Sequence, residues 1–277
     1  MEEIMNIEDL QDLIYEKEEN GICTITLNQP KRRNAMSFLT FLEIETVLKD
    51  MEQDKNAKVL IITGCEEADA FSSGGYFNMN LYPKLPPEIL EELDLTDIAV
   101  KRLCMKFWSF QKPVIVAING LAVGAGFTMP LAGADLIYMA EDAWIGFYFA
   151  RRAVMAEFGA DFLLPFYIGF QKAKELLFFA KKITAQDALD LGLINAVLPK
   201  DQLISYTREQ ALRLVPPKGP SLSIRLMKKT MHAYFQSILD QTLDLENEGL
   251  RELLKTHDFR ESLKALGQKR DPKFKGK

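Results

Sequence analysis

Two glycine-bearing segments, F-S-S-G-G-Y-F at 71–77 and N-G-L-A-V-G-A-G-F-T at 119–128, are the parts of this 277-residue chain best suited to chemistry. Each follows a β-branched apolar run, VLIIT at 59–63 and PVIVAI at 113–118, and each precedes a helix-compatible stretch. A strand that turns sharply into a helix leaves backbone N–H groups unpaired at the helix start, aimed at whatever lies beyond the turn. Glycine lets such a turn form and lets a ligand approach the backbone. Two turns meeting at one point could donate two N–H bonds to one oxygen, as an acyl-transfer or enolate enzyme requires.

The elements that must hold these turns follow an α/β grammar. A hairpin is expected from strands 13–18 and 22–27 around Asn20-Gly21. Ser37 is the expected N-cap of a helix over 38–53, and 59–63 is a buried strand. Residues 82–97, rich in proline and carboxylates, form an insertion before a helix over 98–110. Strands at 114–118 and 136–139 flank the second glycine turn and its helix, with Pro130 in that helix's first turn. From Asp161 the chain turns mostly helical: 173–180, 185–191, 203–215, 221–254 and 258–267, with a short strand at 195–198. The division expected is an α/β core over 1–200 and a helical region over 201–277 for packing and oligomerisation.

Composition narrows the function classes. At 48% hydrophobic residues the chain can bury a large core. Its 34 basic and 39 acidic residues give a net charge of −5, which offers no nucleic-acid footprint. Local basic clusters at 31–33, 181–182, 228–229 and 269–277 read first as solvated surface. Cys23, Cys65 and Cys104 are odd in number and set in apolar runs, so neither a disulfide framework nor a metal site is expected. The acidic start of the chain carries no apolar leader, and no run is long enough to span a membrane. A cytoplasmic protein is expected.

Six blocks in order carry a family resemblance: N-Q-P-K-R-R-N-A at 28–35, A-F-S-S-G-G at 70–75, K-P-V-I-V-A-I-N-G-L-A-V-G-A-G at 112–126, A-D-L-I-Y-M-A at 134–140, K-K-I-T-A-Q-D-A-L-D-L-G-L-I-N-A-V at 181–197, and the closing D-F-R-E-S-L-K-A-L with K-R-D-P-K-F-K-G within 258–276. The chain resembles the crotonase (enoyl-CoA hydratase/isomerase) superfamily over nearly its whole length. The resemblance implies an α/β spiral of ββα units with a helical C-terminal trimerisation region, giving a homotrimer or a dimer of trimers. It implies an acyl-CoA thioester substrate, with CoA carried as part of the substrate and no separate cofactor. By position the two oxyanion donors would be the amides of Gly75 and Ala125. Lys31, Arg32 and Arg33 would lie near the CoA phosphates, with Ala35 and Ser73 nearby. Gly75 to Asn78, including Tyr76 and Phe77, would line the thioester and pantetheine.

Departures from the family pattern are as informative. Hydratases of the superfamily carry two glutamates that activate water. Here those positions fall on Thr128 (or Met129) and Phe149, so water addition by that pair is not expected. Some relatives place a working carboxylate eight residues further on, at the position of Glu157. An isomerase needs only one base, which moves a proton from C2 to C4 while the oxyanion is held. Glu157 is therefore the expected acid/base; Phe149, Met155 and Phe158 could raise its pKa by desolvation, while a helix N-terminus just after it would pull the other way. The competing reading makes Glu157 a helix-start carboxylate paired with Arg151 or Arg152; Asp161 is a second candidate. Tyr76 and Tyr148 read either as hydrogen-bond donors to substrate or as aromatic walls, and Thr128 as a helix residue that could orient water. His232 and His257 read as surface or interface residues. The expected activity is 3-enoyl-CoA to 2-enoyl-CoA isomerisation; the alternatives are a divergent hydratase, hydrolase or decarboxylase, or a silent acyl-CoA-binding subunit.

Overall fold

The computed structural model describes residues 5–277, so the first residues of the acidic N-terminus lie outside it. The hairpin forms from β1 (Leu13–Lys17) and β2 (Ile22–Leu27), with Gly21 at φ 87° in the turn. Helix α1 (Phe38–Gln53) starts where expected: Ser37 and Thr40 form a capping box, each satisfying the other's N–H. Strands β3 (Val59–Gly64) and β4 (Ala70–Ser72) follow. The insertion holds a short helix α2 (Pro87–Glu92), and α3 (Lys101–Ser109) comes after it.

Helix α3 begins three residues later than expected. Val100 takes a left-handed φ of 56°, and the Asp97 carboxylate accepts the N–H groups of Lys101 and Arg102 at 2.9 Å each. A carboxylate at that end satisfies orphan donors and complements the helix dipole.

The next elements are β5 (Val114–Ile118), β6 (Leu121–Val123), α4 (Ala125–Gly133), β7 (Leu136–Ala140) and β8 (Trp144–Gly146). Then come α5 (Ala160–Ile168), α6 (Phe170–Phe178), β9 (Lys182–Thr184), α7 (Ala185–Asp190) and β10 (Ala196–Leu198). Helices α8 (Leu203–Leu212), α9 (Ser221–Leu253) and α10 (His257–Gly267) complete the chain. Helix α4 starts at Ala125, so Pro130 is an interior residue rather than a first-turn one. The helical bond to the Gly126 carbonyl is therefore missing.

Two sheets organise the fold: six strands in the order β1-β2-β3-β5-β7-β10, and four in the order β4-β6-β8-β9. The pairs β3/β4, β5/β6 and β7/β8 each give one strand to each sheet before the chain goes helical, which makes a repeating ββα spiral. The larger sheet is parallel from β2 onward, and its central strand β5 is buried throughout, as a sheet covered on both faces must be. No described helix is long and apolar enough to cross a membrane.

The basic cluster at 228–229 departs from the solvated reading. Lys228 is buried, donating to Asp135 Oδ2 at 2.7 Å and to the Lys112 carbonyl at 3.1 Å. Helix α9 lies across this point, so the amine must find its partners inside.

Asp12 is a second buried charge with a structural task. It accepts from Arg32 Nη2 at 2.5 Å, from Ser37 Oγ at 3.1 Å and from Thr40 Oγ1, tying β1, the 30–35 loop and the start of α1 together. Removing it would leave the mostly buried Arg32 guanidinium unpaired. Asp12→Ala is expected to cost about 3 kcal/mol in urea unfolding, the scale for breaking a buried pair from one side.

Candidate functional site

The two glycine turns meet. Gly74 has φ 100°, and a Cβ built on it would fall 2.6 Å from the Val123 carbonyl oxygen and 3.8 Å from the Ala125 nitrogen. Gly126 is equally constrained, since a Cβ there would sit 2.4 Å from the Ser72 oxygen. Around Gly75 the backbone is pinned by Met36 N–H to Gly74 O at 2.8 Å and Tyr76 N–H to Met36 O at 2.7 Å. That parallel bridge turns the Gly75 N–H to the opposite side. Among the described residues, no protein group accepts from the N–H of Gly75 or of Ala125, the first residue of α4. Two N–H groups without a protein acceptor among the described residues thus stand at adjoining turns.

The loop at 31–35 is fastened to the first turn. Ser73 donates its N–H to Arg33 O and its hydroxyl to Arg32 O, at 2.9 and 3.1 Å. Asn34, whose role the sequence does not reveal, is fully buried and accepts from Gln29 N–H while donating to Ala70 O. Arg32 turns inward: besides Asp12 it holds the Ala35 carbonyl at 2.8 Å and lies over the Tyr76 ring at 5.0 Å. Lys31 and Arg33 remain exposed. The Tyr76 hydroxyl accepts from Asn78 Nδ2 at 2.9 Å, and the exposed Phe77 packs edge-on against Phe38.

Glu157 reaches the same place from the far side. Thr128 Oγ1, in the second turn of α4, donates to Glu157 Oε1 at 3.0 Å and lies 3.3 Å from Gly124 O. This sets the carboxyl about one helical turn from the free Ala125 N–H. The reading of Glu157 as an arginine partner is not what forms. Arg151 pairs with Asp271 at 2.7 Å, and Arg152 gives its carbonyl to Ser262. Although part of Glu157's surface is open, its carboxyl lies among protein atoms. Burial pushes it up from 4.5 to about 8; the Thr128 bond pulls it back and Asp161 adds to the rise. Burial likewise raises Asp161 to about 6, and its Oδ2 has no hydrogen-bond partner among the described residues.

Phe149 joins this group, its ring within 3.6 Å of where a Gly124 Cβ would lie. Tyr148 does not. It leans on Trp144 and lines a separate cleft of about 420 Å³ with Arg151, Arg152, Lys269 and Arg270. His232 stacks on Trp108 at 4.2 Å and His257 contacts Asp258, so each has a packing partner. No cluster of described side chains could hold a metal ion.

The sequence reading misses what holds Glu157 in place. The loop before α5 carries left-handed residues at Ala153, Phe158 and Gly159. Phe158 N–H donates to Ala99 O at 3.1 Å, and the fully buried Glu246 of α9 accepts from Gly159 and Asp161 N–H at 2.8 and 3.1 Å. The available signal is a charge in an apolar stripe, since Glu246 shares the buried face of α9 with Leu239, Leu243 and Leu250.

The chain matches the sequence model for enoyl-CoA hydratase/isomerase over residues 17–277. It is 30% identical to the 1,2-epoxyphenylacetyl-CoA isomerase of Escherichia coli K12, covering 97% of this chain and all of that one. A probable enoyl-CoA hydratase of Rhodobacter capsulatus is 32% identical over 93% of this chain and 95% of its own. A crystal structure of an enoyl-CoA hydratase from Mycobacterium avium subsp. paratuberculosis K-10 superposes with TM-score 0.83 at 26% identity, covering 96% and 99% of the two chains.

A carboxyl whose folded-state pKa lies above its unfolded value loses stability as pH rises between the two. The native state holds the proton longer, so above about 4.5 it must either keep it or bury a charge. Glu157→Gln is therefore expected to match the parent near pH 4.5 and to exceed it by roughly 4 kcal/mol at pH 8. Urea unfolding of both proteins at the two pH values reads this directly.

Proposed function

The chain belongs to the enoyl-CoA hydratase/isomerase family, and from that premise we propose that it moves the double bond of a 3-enoyl-CoA to the 2-position. The observation that carries this reading is the single carboxyl of Glu157, hydrogen-bonded to Thr128 beside the free N–H of Ala125. The resemblance puts Thr128 (or Met129) and Phe149 where hydratases of the family carry glutamates, and none of these side chains can act as a base.

The scheme is balanced by one proton. The Glu157 carboxylate removes a proton from C2, and the electron pair moves onto the thioester oxygen as a dienolate. Gly75 and Ala125 N–H groups receive that charge; losing one such donor costs ~3 kcal/mol in comparable sites. Protonated Glu157 then returns the proton to C4, the C3–C4 double bond having become C2–C3. A base with a pKa of about 8 suits both halves of this exchange near neutral pH. Phe41 and Phe158, in edge contact at 5.5 Å, and Phe149 favour an apolar acyl group. CoA enters with the substrate, and the scheme calls on no other cofactor. The three buried free thiols are compatible with a reducing compartment such as the cytoplasm.

Incubation with a 3-enoyl-CoA in deuterated water, read by mass spectrometry, should show bond migration with deuterium at C2 or C4. Glu157→Gln should abolish it, and kcat/KM should rise with pH through about 8 as the base ionises. Saturable acyl-CoA binding without turnover of 2- or 3-enoyl-CoA would instead favour a silent subunit.

A trimer or a dimer of trimers is proposed on the surface that α9 leaves uncovered. Leu222, Met231 and Tyr234 are more than half exposed there, and a groove of about 920 Å³ runs along Pro220, Leu226 and Met227. Exposed apolar area of this extent marks an association surface. Light scattering on the purified protein should give three or six times the chain mass, and Met231→Glu should lower it.

A further inference from the structure

We propose that Glu246, from the C-terminal helix α9, is the positioning residue that holds Glu157 against Thr128, a role that rests on Glu157 being the base. The loop carrying Glu157 cannot hold its shape unaided. Phe158, immediately after the base, sits at φ 59°, a left-handed backbone that is strained at a bulky residue. Such a conformation persists only where the surroundings dictate it.

Here the surroundings are one face of α9. Glu246 accepts the N–H groups of Gly159 and Asp161, bracketing the first turn of α5. Its neighbour Asn247 accepts from Ala99 N–H at 2.8 Å and donates to Asp97 Oδ1 at 2.7 Å. Ala99 in turn accepts from Phe158 N–H. The two adjacent residues of α9 thus grip the segment after Glu157 from both sides. Packing seals the contact: a Cβ on Gly159 would strike Leu239 Cδ1 at 2.2 Å, and one on Gly249 would strike Met155 Sδ at 2.3 Å. The Leu239 and Met155 side chains thus fill the space between helix and loop.

Burial, with Asp161 and Glu157 nearby, pushes the Glu246 carboxyl up, while its two backbone N–H bonds pull the other way. The groups facing Glu157 are Thr128 from α4, Asp161 from α5 and Glu246 from α9.

The test pairs Glu246→Gln with Asn247→Ala, an uncharged break in the same clamp. If position is what Glu246 controls, either variant frees the loop and lets water reach Glu157. Carbon-13 NMR of the Glu157 carboxyl should then show its titration falling from about 8 toward the ordinary carboxylate range, by about one unit or more, in both folded variants. Turnover should fall on the order of tenfold while KM changes less than about twofold, because the base and not the binding site has moved. A change in Glu246→Gln alone would assign the effect to its ionisation and overturn the positioning role. An unchanged Glu157 titration in both would also overturn it. The NMR readout needs no turnover, so failure of the isomerase reading, seen as an inactive parent protein, is distinguished from failure of this one.

Discussion

Nothing larger than a hydrogen atom fits where the two glycine turns touch, and the site depends on that contact. Gly74 lies under the Val123 carbonyl, and Gly126 lies over Ser72. The smaller sheet enforces the approach, because β4 and β6 are neighbouring parallel strands and the turns leave their adjacent ends. Once the turns meet, the Gly75 and Ala125 donors have no protein partner within reach. An unmade backbone hydrogen bond is costly when buried. Gly75 is open to solvent, where water or a ligand oxygen can satisfy it.

The carboxyl beside these donors is governed by a contest between burial and hydrogen bonding. Thr128 stabilises the charged form of Glu157 with one bond, while the apolar neighbourhood opposes ionisation more strongly, and the balance settles near neutral pH. Both contributions come from other parts of the chain. Thr128 belongs to α4, and the burial depends on α9 pressing Leu239 and Gly249 onto the loop. The C-terminal helix thus packs against the loop that carries Glu157 and presents an exposed apolar face on its other side.

How much of this was legible in the sequence varied with the length of the signal. Helix α1 was readable to the residue, because Ser37 and Thr40 form a local capping box ahead of a long apolar pattern. Five of the six strands of the larger sheet run for five or six residues, long enough to read as strands. All four strands of the smaller sheet passed unnoticed. Each has three residues, too few to show an alternation, and they are defined by partners up to about fifty residues away. The start of α3 was misplaced for a related reason, since the left-handed Val100 follows from the pairing of Asp97 with Asn247.

The sequence by itself determined the α/β class, the family and the two glycine turns, because these rest on local patterns and on residue types that only one backbone geometry accepts. It also named Glu157 and removed the usual glutamate pair. Only the tertiary structure decided what Glu157 pairs with. Its partner could have been Arg151 or Arg152, a few residues away, and is instead Thr128, twenty-nine residues away. The same holds for Arg32, which reads as a surface cation but faces the buried Asp12, and for Glu246, whose place in an apolar stripe does not say which N–H groups it accepts. A charged side chain's task depends on which distant groups surround it when water is excluded, and those neighbours come together only when the helices and sheets have packed.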